Sequence, residues 1–219
     1  MKVVIIQKDT NNGDYLQFFE DIAELQPELV LLGELGATGC LYNGGKGLTT
    51  EKLQNELEKF PFVIGIGYPC SENGRLFNRY ALFNSDKFYA YDKINLFEPM
   101  NETKVYKAGE TPGYMETPLG KLGVAICYDI RFPDLFDQLK EAGSEMVIIP
   151  AAFPRVRIQA WRSLLIERAI QTGLTVIGIN AVGDDGTNEF GGSSMVVGPD
   201  GQIIAQADEI NESIIEVEL

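Results

Sequence analysis

Three side chains that could carry out nucleophilic chemistry, Glu34, Lys93 and Cys127, each follow an apolar segment of strand length. A thiol can attack an acyl group when a carboxylate removes its proton, and a nearby cation can stabilise the oxyanion that forms. The ends of strands are also where α/β proteins build their sites. The residue types and their positions could therefore support acyl transfer.

The sequence contains no histidine. This excludes Ser-His-Asp and Cys-His catalysis, and also histidine-ligated zinc. A base must therefore be a carboxylate, a lysine or a tyrosine. The three cysteines form no C-x-x-C pair and are odd in number, so neither a disulfide framework nor a zinc site is predicted, and Cys40 and Cys70 are interpreted as structural. We expect no metal or organic cofactor.

The composition predicts one globular domain over residues 1–219. There are 18 Lys and Arg against 32 Asp and Glu, a net charge of −14, which repels phosphate backbones and anionic lipids. We therefore expect neither nucleic acid nor membrane as a partner. The apolar start is too short for a signal peptide, and the cysteine usage favours a reducing cytoplasm.

Strand and helix patterns alternate along the chain, which predicts an α/β fold. Consecutive strands joined by short turns at 84–86 and 199–201 favour hairpins, so two sheets packed face to face with helices outside fit better than one open parallel sheet. The predicted strands are 3–7, 29–32, 62–67, 79–83, 88–91, 122–126, 146–150, 175–180, 194–197, 203–205 and 213–217. The predicted helices are 14–25, 50–59, 133–142 and 155–172.

Each of the three reactive side chains also has an ordinary explanation. Cys127 could be a buried core cysteine, Glu34 a polar loop residue, and Lys93 a solvated charge. Cys127 differs from the other cysteines in its context, because a strand ends there and a helix begins at Pro133. A nucleophile at such a turn is exposed at the end of a sheet, as in the serine elbow of other hydrolases.

The order Glu34, Lys93, Cys127 resembles the nitrilase superfamily of carbon–nitrogen hydrolases. The likeness is collinear over almost the whole chain. Further matching segments are Glu102 with Gly109, Pro150-Ala-Ala-Phe153, Trp161-Arg162, Glu167-Arg168-Ala169, Gly192-Ser193-Ser194 and Gly198-Pro199-Asp200-Gly201. Gly33 departs from the family pattern, which usually has proline there. The segment 39–62 is shorter than usual, and no long tail is expected after the last predicted strand.

The resemblance implies a four-layer α-β-β-α sandwich of two mixed sheets and a homodimer or higher homo-oligomer. It also implies that Glu34 is the base, that Glu102 orients Lys93 or assists the base, and that the backbone N–H of Tyr128 joins Lys93 in binding the oxyanion. Phe153 is expected at the substrate. In the dimers of related proteins, the helices that follow Cys127 and Trp161 form the interface, where exposed apolar side chains are expected: Phe132, Leu135, Phe136 and Ile158.

The run Cys127-Tyr-Asp-Ile-Arg-Phe132 resembles the branch that cleaves ω-amides of small dicarboxylates. An N-carbamoyl amine or acid is the alternative substrate, and a nitrile is a weaker one. Arg131 could bind a substrate carboxylate through its planar fork, or it could pair with Asp134 and brace the loop.

Two other protein classes compete with this interpretation. A nucleotide-binding protein is disfavoured because the P-loop-like segment 44–47 lacks the Ser or Thr after its lysine, and because Gly65-Ile-Gly67 lacks the third glycine of a dinucleotide motif. A non-catalytic binding protein on the same fold is disfavoured because all three reactive positions are intact.

Overall fold

The computed structural model describes residues 1–39 and 47–219. Cys40 and most of the P-loop-like segment 44–47 lie outside the described residues. The strands are β1 (Lys2–Gln7), β2 (Leu29–Leu31), β3 (Val63–Glu72), β4 (Arg75–Phe83), β5 (Phe88–Asp92), β6 (Gly113–Thr117), β7 (Gly120–Val124), β8 (Met146–Ala151), β9 (Thr175–Asn180), β10 (Val182–Asp184), β11 (Glu189–Gly191), β12 (Met195–Val197), β13 (Ile203–Gln206) and β14 (Ser213–Glu218). The α-helices are α1 (Tyr15–Asp21), α2 (Thr50–Leu57), α3 (Glu102–Val105), α4 (Pro133–Glu141) and α5 (Ile158–Thr172).

Twelve of these strands form two six-stranded sheets. The first has the order β14-β1-β2-β3-β4-β5, and the second has the order β13-β12-β9-β8-β7-β6. In each sheet the three central strands are parallel and the outer pairs are antiparallel. The hairpins predicted at 84–86 and 199–201 join β4 to β5 and β12 to β13. The predicted α/β fold of two mixed sheets is confirmed.

Alternating side chains of β1 show how the layers form. Val3 and Ile5 pack in the core between the two sheets, whereas Val4 and Ile6 pack under α1 and α2. This period of two is the geometry of any strand, and here both faces of the strand are buried. On the far side, α4 and α5 cover the second sheet with apolar side chains that join its core cluster.

The prediction that three apolar side chains of α4 and α5 are exposed is wrong. Leu135, Phe136 and Ile158 are 6%, 0% and 6% exposed, so they belong to the core and not to an apolar outer face. All three belong to the core cluster that includes the second sheet, and an amphipathic helix buries its apolar residues in this way. Phe132 is 37% exposed, as expected.

Local chain geometry explains the other differences from the predicted elements. The predicted helix 14–25 is an α-helix only to Asp21 and continues as a 3₁₀ turn, Ala23–Leu25, which ends where Gln26 adopts a left-handed conformation (φ 51°) before Pro27. A residue that precedes proline is disfavoured in the helical conformation. The helix predicted over 155–172 begins with a 3₁₀ turn, Arg155–Arg157, before α5. The strands β6, β10 and β11 have no counterpart among the predicted strands; β10 and β11 have three residues each.

No helix among the described residues is long and apolar enough to span a membrane.

Candidate active site

Cys127 sits at a sharp turn between β7 and a short 3₁₀ helix, Cys127–Arg131. Its φ is +48°, an uncommon value for a residue with a side chain. The strand predicted over 122–126 ends at Val124; the N–H of Ala125 still donates to the carbonyl of Ile148 in β8 at 3.1 Å, and the turn begins at Ile126, whose carbonyl accepts from the N–H of Asp129. Such strained turns are typical of nucleophile elbows, where the geometry lifts the reactive atom above the sheet edge.

Asp129 braces this turn from inside. Its buried carboxylate accepts hydrogen bonds from the backbone N–H of Ile126 (2.8 Å), the hydroxyl of Tyr91 (2.8 Å), and the backbone and side chain of Asn95 (2.9 and 2.8 Å). Ile126 precedes the nucleophile, and Asn95 lies two residues after Lys93. Asp129 therefore ties the cysteine turn to the lysine loop.

Lys93 lies between two carboxylates. Its Nζ is 2.8 Å from Glu34 Oε1 and 2.9 Å from a carboxylate oxygen of Glu102. The three side chains are buried, at 2% (Glu34), 1% (Lys93) and 0% (Glu102) residue exposure. The side-chain amide of Asn78 also donates to both carboxylates. The structure therefore brings together the three predicted charged residues in one buried cluster.

Two backbone N–H groups hold the carboxylates of Glu34 and Glu102 at their Oε2 atoms. The N–H of Ala152 donates to Glu34 Oε2 at 2.9 Å, and the N–H of Phe97 donates to Glu102 Oε2 at 2.6 Å. The loop of Glu34 lies against β3 at Gly67, where an added Cβ would be 2.5 Å from the backbone nitrogen of Leu35. This close approach requires glycine at position 67.

Burial and the surrounding charges set the protonation states of the cluster. Burial, together with the carboxylate of Glu34, holds the pKa of the Cys127 thiol well above its usual value, although Lys93 and the N–H of Ala152 oppose this. Burial alone would lower the pKa of Lys93, but Glu34 and Glu102 raise it well above the usual value. The resting site therefore contains a neutral thiol beside a fully charged ammonium group.

A pocket opens over Cys127 and Lys93. Its inner end is formed by these two side chains with Glu102, and its mouth carries two exposed arginines, Arg131 and Arg157. The remaining lining is largely apolar and aromatic: Phe97, Met100, Tyr128, Ala152, Phe153 and Pro154. A small ligand can therefore place one end at the thiol and the other between cations.

The two arginines at the mouth rest on aromatic rings. The guanidinium carbon of Arg131 is 5.8 Å from the centroid of Phe153, and that of Arg157 is 5.4 Å from the centroid of Phe97. Within residues 1–39 and 47–219, neither guanidinium is within 4.0 Å of a carboxylate oxygen, so the pairing of Arg131 with Asp134 does not occur. Both guanidinium groups are therefore suited to bind an anion.

The other residues expected at the substrate also line this pocket. Tyr128 is half-buried, and its ring centroid is 4.9 Å from that of Phe97. Phe153 is 4% exposed, and its backbone N–H donates to Asn180 Oδ1 at 2.6 Å, which holds the turn after β8. The pocket brings together Lys93, Glu102 and Cys127 with Tyr128, Arg131 and Phe153, and Glu34 stands behind Lys93.

Sequence reasoning missed three polar residues of the site: Asn78, Asp129 and Arg157. Asp129 lies within the run 127–132 and two residues from the nucleophile, which is a signal that could have found it. Asn78 is the asparagine in an otherwise ordinary strand, and Arg157 stands at the start of a long helix. No group of three or more Cys, Asp or Glu side chains that could hold a metal ion occurs in the described part of the chain.

Comparison with known proteins identifies the family. The chain matches the carbon-nitrogen hydrolase family over residues 4–219. It is 36% identical to the 2-oxoglutaramate amidase of Bacillus subtilis, over 97% of this chain and 85% of that protein, and 30% identical to the "hydrolase in agr operon" of Staphylococcus aureus, over 100% and 88%. A Saccharomyces cerevisiae member of branch 10 of the nitrilase superfamily superposes with a TM-score of 0.82 at 26% identity, over 99% of this chain and 89% of that one. The chain therefore belongs to the carbon-nitrogen hydrolase family of the nitrilase superfamily and is an amidohydrolase.

Proposed function

We propose that this enzyme hydrolyses the ω-amide of a small carboxylate through a thioester on Cys127. The observation that carries the proposal is the pocket itself. It has a thiol, a lysine and Glu102 at its inner end, with Glu34 paired to the lysine behind it, and two arginines at its mouth that have no acidic partner among the described residues. The name of the Bacillus subtilis relative, 2-oxoglutaramate amidase, describes an amide with a carboxylate at its other end, and it supports this choice.

The first half of the reaction forms the acyl-enzyme. Glu34 removes the thiol proton of Cys127 as the sulfur attacks the amide carbonyl carbon. The raised pKa of the thiol means that this proton is still in place when substrate binds, so a base is required. Lys93 and the backbone N–H of Tyr128 stabilise the oxyanion. Glu34 then gives its proton to the departing nitrogen, the carbon–nitrogen bond breaks, and ammonia leaves.

The second half hydrolyses the thioester. Glu34 removes a proton from a water molecule, which attacks the thioester carbonyl, and the carbon–sulfur bond breaks with return of a proton to Cys127. Lys93 and Tyr128 stabilise the second oxyanion as they did the first. Glu102 keeps Lys93 in position throughout, because its carboxylate binds the ammonium group beside that of Glu34.

Arg131 and Arg157 select the substrate in this proposal. Their planar guanidinium groups suit the two oxygens of a carboxylate, and their contacts with Phe153 and Phe97 keep them at the mouth. The apolar walls between mouth and thiol accept the methylene chain of an ω-amide.

Ammonia release from a panel of amides and carbamoyl compounds tests the substrate class. The expected result is a higher kcat/KM for an ω-amide with a terminal carboxylate than for its neutral methyl-ketone analogue of the same length. Preference for an N-carbamoyl compound over every ω-amide would overturn the substrate assignment while leaving the amidohydrolase chemistry in place.

We also propose that the enzyme acts as a homodimer or higher homo-oligomer in the cytoplasm. In this proposal each chain of 219 residues forms a single domain. Exposed apolar side chains near α4 and α5 support the association: Phe132, Val156, Ile170, Ile203 and Ile204. A reducing compartment suits a free catalytic thiol. Light scattering at micromolar concentration is expected to give at least twice the mass of one chain, and a strictly monomeric protein would contradict the association.

A further inference from the structure

Asn78 contacts all three charged members of the cluster. It lies within β4 and is 1% exposed. Its backbone carbonyl accepts a hydrogen bond from the N–H of Lys93 at 2.9 Å. Its side-chain nitrogen Nδ2 donates to Oε1 of Glu34 at 2.7 Å and to Oε1 of Glu102 at 3.2 Å. Asn78 and Lys93 therefore close a ring in which each carboxylate receives a hydrogen bond from both.

The orientation of the Asn78 amide follows from its neighbours. Both neighbouring groups are carboxylates that only accept hydrogen bonds, so the nitrogen end, with its two hydrogens, must face them. The oxygen end, Oδ1, is buried and has no hydrogen-bond partner among the described residues. A buried acceptor without a partner is costly. The site tolerates this cost at Oδ1 while using both donors at Nδ2.

The charges of the cluster explain why a neutral donor is useful at this place. Two carboxylates share one ammonium group, so the cluster carries one excess negative charge. The Asn78 amide stabilises the ionised carboxylates without adding a second cation.

We propose that Asn78 is a positioning residue that holds the carboxylates of Glu34 and Glu102 in place beside Lys93. The inference rests on the proposed function, because it takes Glu34 as the base. Asn78 itself does not line the pocket and acts through the two carboxylates.

The charged groups around these carboxylates come from four separate segments. Lys93 faces both carboxylates from the loop after β5, and Cys127 faces them from the turn after β7. Asp129 lies close enough to Lys93 for the ammonium to stabilise its charge. Glu34 and Glu102 face each other across the lysine. A change in protonation at this site therefore reports on these five groups together.

The test replaces Asn78 by alanine and by leucine, which removes both donors; leucine also keeps the branched shape and the number of heavy atoms of the side chain if alanine does not fold. The expected result is a movement of the acid limb of the kcat/KM profile by about one pH unit to higher pH, because carboxylates that lose a donor bind a proton more readily. We expect kcat to fall at least about tenfold and KM to change less than about twofold, since the substrate does not contact Asn78.

The matched control is Tyr80→Phe, two residues along the same strand. Tyr80 is fully buried, and its hydroxyl has no hydrogen-bond partner among the described residues, so its loss should leave the pH profile unchanged. A second profile uses no substrate: the rate of alkylation of Cys127 by iodoacetamide against pH, followed by peptide mass spectrometry. Its acid limb should move in the Asn78 variants in the same direction as that of kcat/KM.

The two proposals fail in different ways. Wild-type enzyme that releases ammonia from no amide of the panel would overturn the proposed function, and the alkylation profile would still decide the role of Asn78. Active wild-type enzyme with folded Asn78 variants whose acid limbs coincide with that of the wild type would overturn the positioning role alone. A loss of thermal stability without a shifted profile would also overturn that role.

Discussion

The inner end and the mouth of the pocket are built in opposite ways. At the inner end, the charges of Glu34, Lys93 and Glu102 are paired and almost fully buried. At the mouth, Arg131 and Arg157 are exposed and lie on aromatic rings without an acidic partner among the described residues. The difference indicates a division of tasks, in which the inner groups are preorganised for the chemical step and the outer cations are kept free for the substrate.

Replacing Cys127 by alanine or serine should have the largest effect at the inner end. Turnover is expected to fall by at least about 10⁴-fold, because serine here has no histidine to activate it and alanine has no nucleophile. The melting temperature should stay close to that of the wild type, since the side chain is small and is replaced by one of similar or smaller size. Residual activity of the alanine variant near the wild-type level would rule out the thioester mechanism.

Lys93→Met should damage both activity and folding. Two buried carboxylates would remain without their cation, which is expected to lower the free energy of unfolding by about 3 kcal/mol or more. Burial already raises the pKa of Glu102 while Lys93 opposes that rise, so the variant should raise this pKa further.

The pH dependence of that loss has a definite sign. A carboxyl whose native pKa lies above its unfolded value contributes stability at low pH, and this contribution is lost as the pH rises through the native pKa. The Lys93→Met variant should therefore be less stable at about pH 8 than at about pH 5, by a larger margin than the wild type. Chemical denaturation at both pH values measures this, and equal losses at the two would contradict the paired-charge description.

Asp129→Asn should have an intermediate effect, because Asp129 braces the inner end without lining the pocket. An amide cannot accept all four hydrogen bonds made to this carboxylate, so a loss of about 2 kcal/mol in the free energy of unfolding is expected in chemical denaturation. Asp134→Asn, an exposed residue in the first turn of α4, is the control and should change stability by less than about 0.5 kcal/mol. Equal stability of the two variants would remove Asp129 as a brace of the cysteine turn.

Substitutions at the mouth should have the smallest effects and the most selective ones. Arg131→Lys and Arg157→Lys are expected to raise KM for the anionic ω-amide by about tenfold, with little change for the neutral analogue, because lysine cannot bind both carboxylate oxygens with a planar fork. Arg155→Lys is the control, since Arg155 pairs with Glu189. Equal losses on both substrates would mark Arg131 and Arg157 as structural.

Many residues of the pocket could be predicted from the sequence. More of those at the inner end than of those at the mouth were found in this way. Cys127 stood out because a strand stops and a helix starts around it, and the order Glu34, Lys93, Cys127, each after a strand, resembled the nitrilase superfamily. Asn78 could not be found in this way, since its role depends on which residues meet across the two sheets. Arg157 was hidden because a 3₁₀ turn precedes α5, and this turn changes the direction of side chains from that of the predicted continuous helix. The alternation of strands with helices and the two hairpin turns predicted the layers, while three-residue strands such as β10 carry too little pattern to detect.

The central claim is that Cys127 becomes covalently acylated during turnover. Rapid acid quenching of the enzyme mixed with an equal concentration of the anionic ω-amide, followed by peptide mass spectrometry, tests it most directly. The expected result is a transient mass increase equal to the acyl group on the peptide that contains Cys127, which forms with the first ammonia released, is removed by hydroxylamine, and is absent from the Cys127→Ala variant. Release of ammonia and acid in the first turnover with Cys127 unmodified at every time point would contradict the account.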